Sequence, residues 1–271
     1  MSSARDLYER RELLWNLTLR ELRGRYKRSL LGWGWSLLNP IAFMLIYSFA
    51  FSLVLRATPE PGDPSGLSSY AFFLMCGLLP WTFFGVTVST SMTSIVANGA
   101  LVRKVAFPRE HLIVSTVIAG LFTLGVELSV FVVALLIVGN MVLPWIPLVI
   151  ATAVLLALFA TGFGLALAAA NVYFRDVSYL WSIALQGWFF STPIVYPPGL
   201  AADRLADYPV ILRIYNDLPM AVMVRVFRNL LYDLRMPRLT DYGLLTVYAV
   251  SALLLGWWIF DRLEGRFAEE L

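Results

Sequence analysis

The side chains able to do chemistry in this sequence fall into four groups. Arg20, Arg23, Arg25, Lys27 and Arg28 lie among Leu13, Leu14, Leu17, Leu22 and Tyr26. That mixture suits a helix lying in a membrane interface, its cations near anionic headgroups; it also suits a positively charged stop before a membrane span. A second basic group runs from Asn98 to Glu110 and holds Leu101, Arg103, Lys104, Phe107 and Arg109, with Pro108 closing it. It reads either as a docking knob for a soluble partner or as a plain anchor. The third group is aromatic. Trp33, Phe43, Tyr47 and Phe51 recur on one helical stripe, and Trp181 and Trp188 share another, with Phe189 beside them and Tyr196 at its end. Aromatic faces offer flat platforms for sugar rings, with Tyr O–H and Trp N–H as polar handles, although rings at span ends equally form an interfacial belt. The fourth group is Arg213, Arg225 and Arg228, each set in a short apolar run.

Most other chemistries lack their residues. No G-x-x-x-x-G-K-[ST] occurs, and Lys27 and Lys104 are followed by Arg28 and Val105, so the chain has no P-loop for ATP phosphates. H-E-x-x-H and G-x-S-x-G are absent too. One cysteine, Cys76, and one histidine, His111, leave no intrachain disulfide and no metal cluster. Asp176 and Glu110 have no second carboxylate spaced to join them in acid–base work. Glu127 is the lone acid within an apolar stretch. It is either a functional intramembrane group or a carboxyl hydrogen-bonded at a helix interface.

The elements that must carry these groups follow from where charge is missing. Of 271 residues, 59% are hydrophobic and only 14% charged, against about 25% in soluble domains. Soluble enzymes, disordered chains and disulfide scaffolds are excluded on that ground, and a net charge of +3 is too small a bias to suggest nucleic acid. Charge-free runs predict six membrane-crossing helices near 33–55, 70–97, 112–138, 145–173, 177–195 and 242–260. Gly139-Asn140 and Pro144/Pro147 divide the third from the fourth. With both termini inside, cytoplasmic segments hold fourteen of the 21 Lys and Arg, which favours an N-in, C-in topology. The outer segment between the last two spans carries six arginines and dissents from that bias. Its apolar runs, 209–218 and 219–232, are too short to span and read as two amphipathic helices at the outer interface or as a small soluble cap. The first residues alternate in charge and do not form a signal peptide.

Several motifs resemble ABC-2-type polysaccharide export permeases. Arg25-Tyr26-Lys27-Arg28-Ser29-Leu30-Leu31-Gly32, followed by Trp35 and Leu38-Asn39-Pro40, is similar to the opening of that family. Leu101-Val102-Arg103-Lys104-Val105 with Phe107-Pro108-Arg109-Glu110 resembles its cytoplasmic loop, and Asn171-Val172-Tyr173-Phe174-Arg175-Asp176-Val177 its fourth-to-fifth connection. Ser191-Thr192-Pro193-Ile194-Val195-Tyr196-Pro197 resembles its fifth-span exit. The matches follow one another in order over most of the chain.

The resemblance implies an all-α integral membrane fold, with six transmembrane helices, an N-terminal amphipathic interface helix and short external re-entrant gate helices. Residues 1–271 then form one transmembrane domain: a cytoplasmic interface segment (1–32), spans one to five (33–195), an external gate segment (196–241), span six (242–260) and a cytoplasmic tail (261–271). The interface helix maps to 8–31, the coupling helix to about 98–109, and the gate helices, with Arg213, Arg225 and Arg228, near 203–218 and 219–233. Spans one and five would line a conduit. The chain would homodimerise in the cytoplasmic (inner) membrane and bind two copies of a P-loop ATPase subunit, which hold ATP and Mg, with no cofactor in this chain. The implied cargo is an undecaprenyl-linked polysaccharide such as O-antigen, a capsule precursor or teichoic acid, its pyrophosphate attracted by Arg20, Arg23, Arg25, Lys27 and Arg28. Rival expectations are an ABC-2 exporter of small lipids or drugs, a membrane enzyme acting on lipid-linked sugars, and a secondary carrier.

Overall fold

The computed structural model describes residues 11–25, 34–50, 60–104, 107–197, 199, 204 and 206–270. Every regular element among them is helical. In chain order these are α1 (Arg11–Arg25), α2 (Gly34–Tyr47), α3 (Tyr70–Ala97), α4 (Gly99–Lys104), α5 (Glu110–Ile137), α6 (Ile146–Tyr173), α7 (Val177–Ser191), α8 (Pro209–Asn216), α9 (Pro219–Arg228), α10 (Leu239–Leu263) and α11 (Phe267–Glu270).

Four segments are long and apolar enough to cross a membrane: Tyr70–Ala97, Glu110–Ile137, Leu143–Tyr173 and Leu239–Arg266. They coincide with the second, third, fourth and sixth expected spans. The other two expected spans are covered less fully among the described residues. Helix α7 has 15 residues, below the roughly 20 that a straight helical crossing needs, and α2 is described over 14 residues and continues as a π turn to Ala50, with both flanks outside the described residues. Helix α7 ends where Thr192 turns extended before Pro193, whose ring lacks the N–H that would prolong a helix.

Local sequence explains the breaks. Gly139 takes a φ of 88°, open to a residue without Cβ, and lets the chain leave α5. Asn140 then returns its backbone N–H to Leu135 and its side-chain amide to the carbonyl of Leu231. Pro144 lies in a short 3-10 turn over Leu143–Trp145, and Pro147 in the first turn of α6, where no helical N–H is missed.

Helix α3 forms the centre, its N-terminal half covered by α9 and its length by α5 and α6. Two apolar cores stack along the bundle. The larger holds Phe84, Phe131, Leu156 and Phe227; the smaller joins Leu17, Ile95, Val102, Leu165, Phe260 and Phe267. Helices α6 and α10 cross with almost no gap. A Cβ on Gly162 would collide with the backbone of Ala252, and one on Gly256 with the carbonyl of Gly162. Small residues permit such backbone approach between membrane helices.

Candidate functional sites at the two ends of the bundle

The basic segment at the smaller core is built by Asn98. Its carbonyl accepts from the N–H groups of Leu101 and Val102, starting α4 directly after α3 ends. Its side-chain amide donates to the carbonyl of Ser94 at 2.7 Å, while its Oδ1 accepts from Arg20 Nη2 at 2.9 Å. One residue therefore ties α1, α3 and α4 together. Helix α1 seats itself through Leu17, Thr18 and Leu22, which are buried, and leaves Arg20 and Arg23 exposed. Lys27, Arg28, Trp33 and Phe51 lie outside the described residues, as does the side chain of Arg25.

Within the docking segment, burial sorts the expected residues. Val102 is buried in the smaller core, Leu101 and Phe107 are half-buried, and Arg103 and Lys104 face outward. Arg109 is engaged inside the chain. It hydrogen-bonds the carbonyl of Glu264, and its guanidinium lies 5.7 Å from the Phe267 ring centroid. The Tyr173 hydroxyl donates to the carbonyl of Leu263 at 2.8 Å. The end of α10 is thus bound to the start of α5 and the end of α6. Neither Asn98, the first residue of the basic segment, nor the fully buried Phe267 is marked as an anchor by residue type or spacing. An isolated Phe in a charged tail and an Asn after a long apolar run were the available signals.

The expected aromatic lining divides. Phe43 is exposed and stacks on the half-buried Tyr47 at 6.0 Å between centroids. Trp181, by contrast, is buried: its indole N–H donates to Ser89 Oγ at 3.0 Å, and its ring meets Phe84 and Phe163. Trp188 and Phe189 turn the same way, onto Phe84 and Trp81. Within one chain the face that Trp181 and Trp188 share points into the bundle, because α3 and α6 supply Trp81, Phe84, Phe159 and Phe163 as ring partners. The face of α7 that stays uncovered carries Tyr179, Leu180, Ile183 and Phe190. Tyr196 bonds the carbonyl of Phe190 and the hydroxyl of Tyr215. Glu127 is half-buried on α5.

At the opposite end the three expected arginines take different roles. Arg228 is 5% exposed. Nη1 donates to the carbonyl of Pro193 at 2.5 Å, Nη2 to that of Ile194 at 2.7 Å, and Nε to that of Phe73 at 3.4 Å. The guanidinium carbon stands 3.8 Å from the centroid of the Phe73 ring, a cation–π geometry. Burial pushes its pKa down to about 10, so it stays charged at neutral pH. Arg225 pairs with Asp241 at 2.8 Å and donates to the Asn216 carbonyl at 2.9 Å, joining α8, α9 and α10. Arg213 is exposed on α8. Residues 60–69 staple onto the π-helical turn Asn229–Asp233 that follows α9: Ser65 Oγ donates to the Tyr232 carbonyl at 2.6 Å and the Ser65 N–H to that of Asp233. Together these elements surround a cavity of about 1050 Å³ lined by all three arginines.

Comparisons with known proteins agree with this architecture. Residues 12–232 match the ABC-2 type transporter family. The chain is 33% identical to an O-antigen export system permease protein, RfbA, of Myxococcus xanthus over 98% of both chains. It is 31% identical to an RfbA of Klebsiella pneumoniae over 96% of this chain and 95% of the other. The polysialic acid transport protein KpsM of Escherichia coli shares 27% identity over 67% of this chain and 68% of its own.

Proposed function

The chain belongs to the ABC-2 type transporter family, and on that premise we propose that it is the permease subunit of a system exporting a polysaccharide such as O-antigen. The observation that carries this reading is similarity to O-antigen export permeases over nearly the whole of both chains. A helical bundle with four membrane-length segments and a sequence without a P-loop support it. The protein is a transport subunit and not an enzyme. It lies in the cytoplasmic membrane as a multi-pass protein.

The finer assignments are part of the proposal. Helices α2 and α7 complete six spans in an N-in, C-in topology, and two copies of the chain assemble with two ATPase subunits. Nucleotide and magnesium sit on those partners and supply the driving force there; this chain offers no lysine in a phosphate-binding loop to hold them. Arg103 and Lys104 receive the partner, since they are the exposed cations of α4. Val102 and Phe107 pass the push into the smaller core, while Arg109 passes it to Glu264 and Phe267. Exposed Arg20 and Arg23, with Arg25, Lys27 and Arg28, attract the pyrophosphate of an undecaprenyl-linked cargo. The cargo passes between the two copies along α2 and α7. Phe43, Tyr47, Trp33 and Phe51 offer ring platforms there, while Trp181, Trp188 and Phe189 hold α7 to the bundle behind it, and Tyr196 marks the outer end. Arg213, Arg225 and Arg228 belong to the outer gate.

The test is export in proteoliposomes containing the ATPase partner and a lipid-linked glycan. Wild type is expected to export, and Arg103→Ala with Lys104→Ala to lower export per ATP hydrolysed while the complex still assembles. Transport of small amphiphiles in place of the glycan would replace the cargo assignment. Unchanged coupling in the double variant would remove the docking role of α4.

A further inference from the structure

The outer cavity has a composition that selects among ligands. Its lining includes five arginines and five carboxylates among the described residues. Part of that charge is consumed internally, Arg225 by Asp241, Arg235 by Asp233 at 3.2 Å, and Arg228 by main-chain carbonyls. The side chains of Arg213, Arg238, Glu60, Asp63 and Asp217 have no hydrogen-bond or ion-pair partner among the described residues. Guanidinium groups only donate and carboxylates only accept, so the cavity presents both functions, while its described arginines and carboxylates balance in charge, five against five.

Resting on the export reading, we propose that this cavity binds a neutral, hydroxyl-rich glycan segment on the outer side of the membrane. Each sugar hydroxyl both donates and accepts, which matches free donors facing free acceptors. A polyanion gains no net attraction from a balanced set of charges and meets each carboxylate as a repulsive neighbour. A volume of about 1050 Å³ lies at the upper end of the roughly 300–1,000 Å³ typical of small-molecule sites and holds more than one sugar ring. The wall is fixed where it is buried, at Arg228 and Asp241, and offers its unpaired groups on α8, at Arg213, and at its C-terminal cap, Asp217. The structure therefore favours a neutral cargo over a polyanionic one at this site.

The experiment uses the full-length chain with its ATPase partner in phosphatidylcholine nanodiscs. Equilibrium binding is measured for maltotriose and for sulfated maltotriose. Maltotriose is expected to bind saturably, at least about fivefold more tightly than its sulfated form, and Arg213→Gln with Asp217→Asn to weaken it at least about fivefold. Arg213→Gln alone, on an exposed position, controls for folding and is expected to give part of that loss. No saturable maltotriose binding, tighter binding of the sulfated probe, or affinity unchanged in the double variant would each overturn the assignment. Displacement of maltotriose by short-chain phosphatidylcholine at equal concentration would reassign the cavity to a lipid headgroup. Surface glycan is scored in cells carrying the same chain. Binding without export overturns the export reading, and export without binding overturns the cavity assignment.

Discussion

Helices α8 and α9 are separated only by Asp217 and Leu218, start alike on a proline and mix apolar residues with arginine, yet they occupy opposite environments. Eight of the ten residues of α9 are buried, wedged against α3 and α10. None of α8 is, and Val210, Ile211 and Ile214 are exposed. The difference lies in what their arginines meet. Arg228 finds the carbonyls of Pro193 and Ile194 in the irregular exit of α7 and that of Phe73 in the first turn of α3, so each of its three nitrogens has an acceptor inside. Arg225 finds Asp241 and Asn216. Arg213 finds none among the described residues, and α8 stays at the surface. Burial of an amphipathic helix in this protein thus depends on acceptors supplied by other elements.

Variants can break or sharpen that contrast. Phe227→Ala is expected to have the largest effect, about 3–5 kcal/mol of stability, because the ring is fully buried in the larger core; thermal unfolding in detergent measures it. Arg228→Ala follows at about 3 kcal/mol, since it strands buried carbonyls as well as leaving a void. Arg228→Lys recovers part of that loss, as one ammonium cannot span three acceptors. Stability equal to wild type in Arg228→Ala would remove the internal-acceptor explanation. Arg225→Ala is expected to lose about 1 kcal/mol, the arginine being partly exposed, with faster proteolysis between α8 and α9. Ile211→Ser should change stability by less than about 0.5 kcal/mol while lowering retention on lipid vesicles. A loss as large as that of Phe227→Ala would show that α8 also belongs to a packed core.

The long spans were legible because a run of apolar residues without charge has one outcome at that length. Tyr70–Ala97 and Ile146–Tyr173 fall where the charge gaps placed them. The short helices α8 and α9 were legible as elements, with Pro209 and Pro219 at their starts, but α8 is shorter than the expected 203–218. Which of the two is buried was not legible, since the acceptors for Arg228 lie 34 and 35 residues away in sequence. The same reason hid the direction of the α7 stripe. Helical spacing fixes that Trp181 and Trp188 share a face, but only the arrival of Phe84 and Phe163 decides where that face looks. Arg109 was legible as a cation beside a proline, while its engagement with Phe267 depends on a contact across most of the remaining chain.

The bare crossing of Gly162 against Gly256 has a mechanical consequence. With no layer of side chains between the two backbones, neither helix can slide along the other without its carbonyls climbing over the opposite chain. Helices α6 and α10 therefore turn as one lever arm. The tie from Tyr173 to Leu263 braces that lever at one end, and Asp241, gripping Arg225, stands at the other. The arginine-lined cavity and the core beside α4 thus lie at opposite ends of one stiff pair of helices.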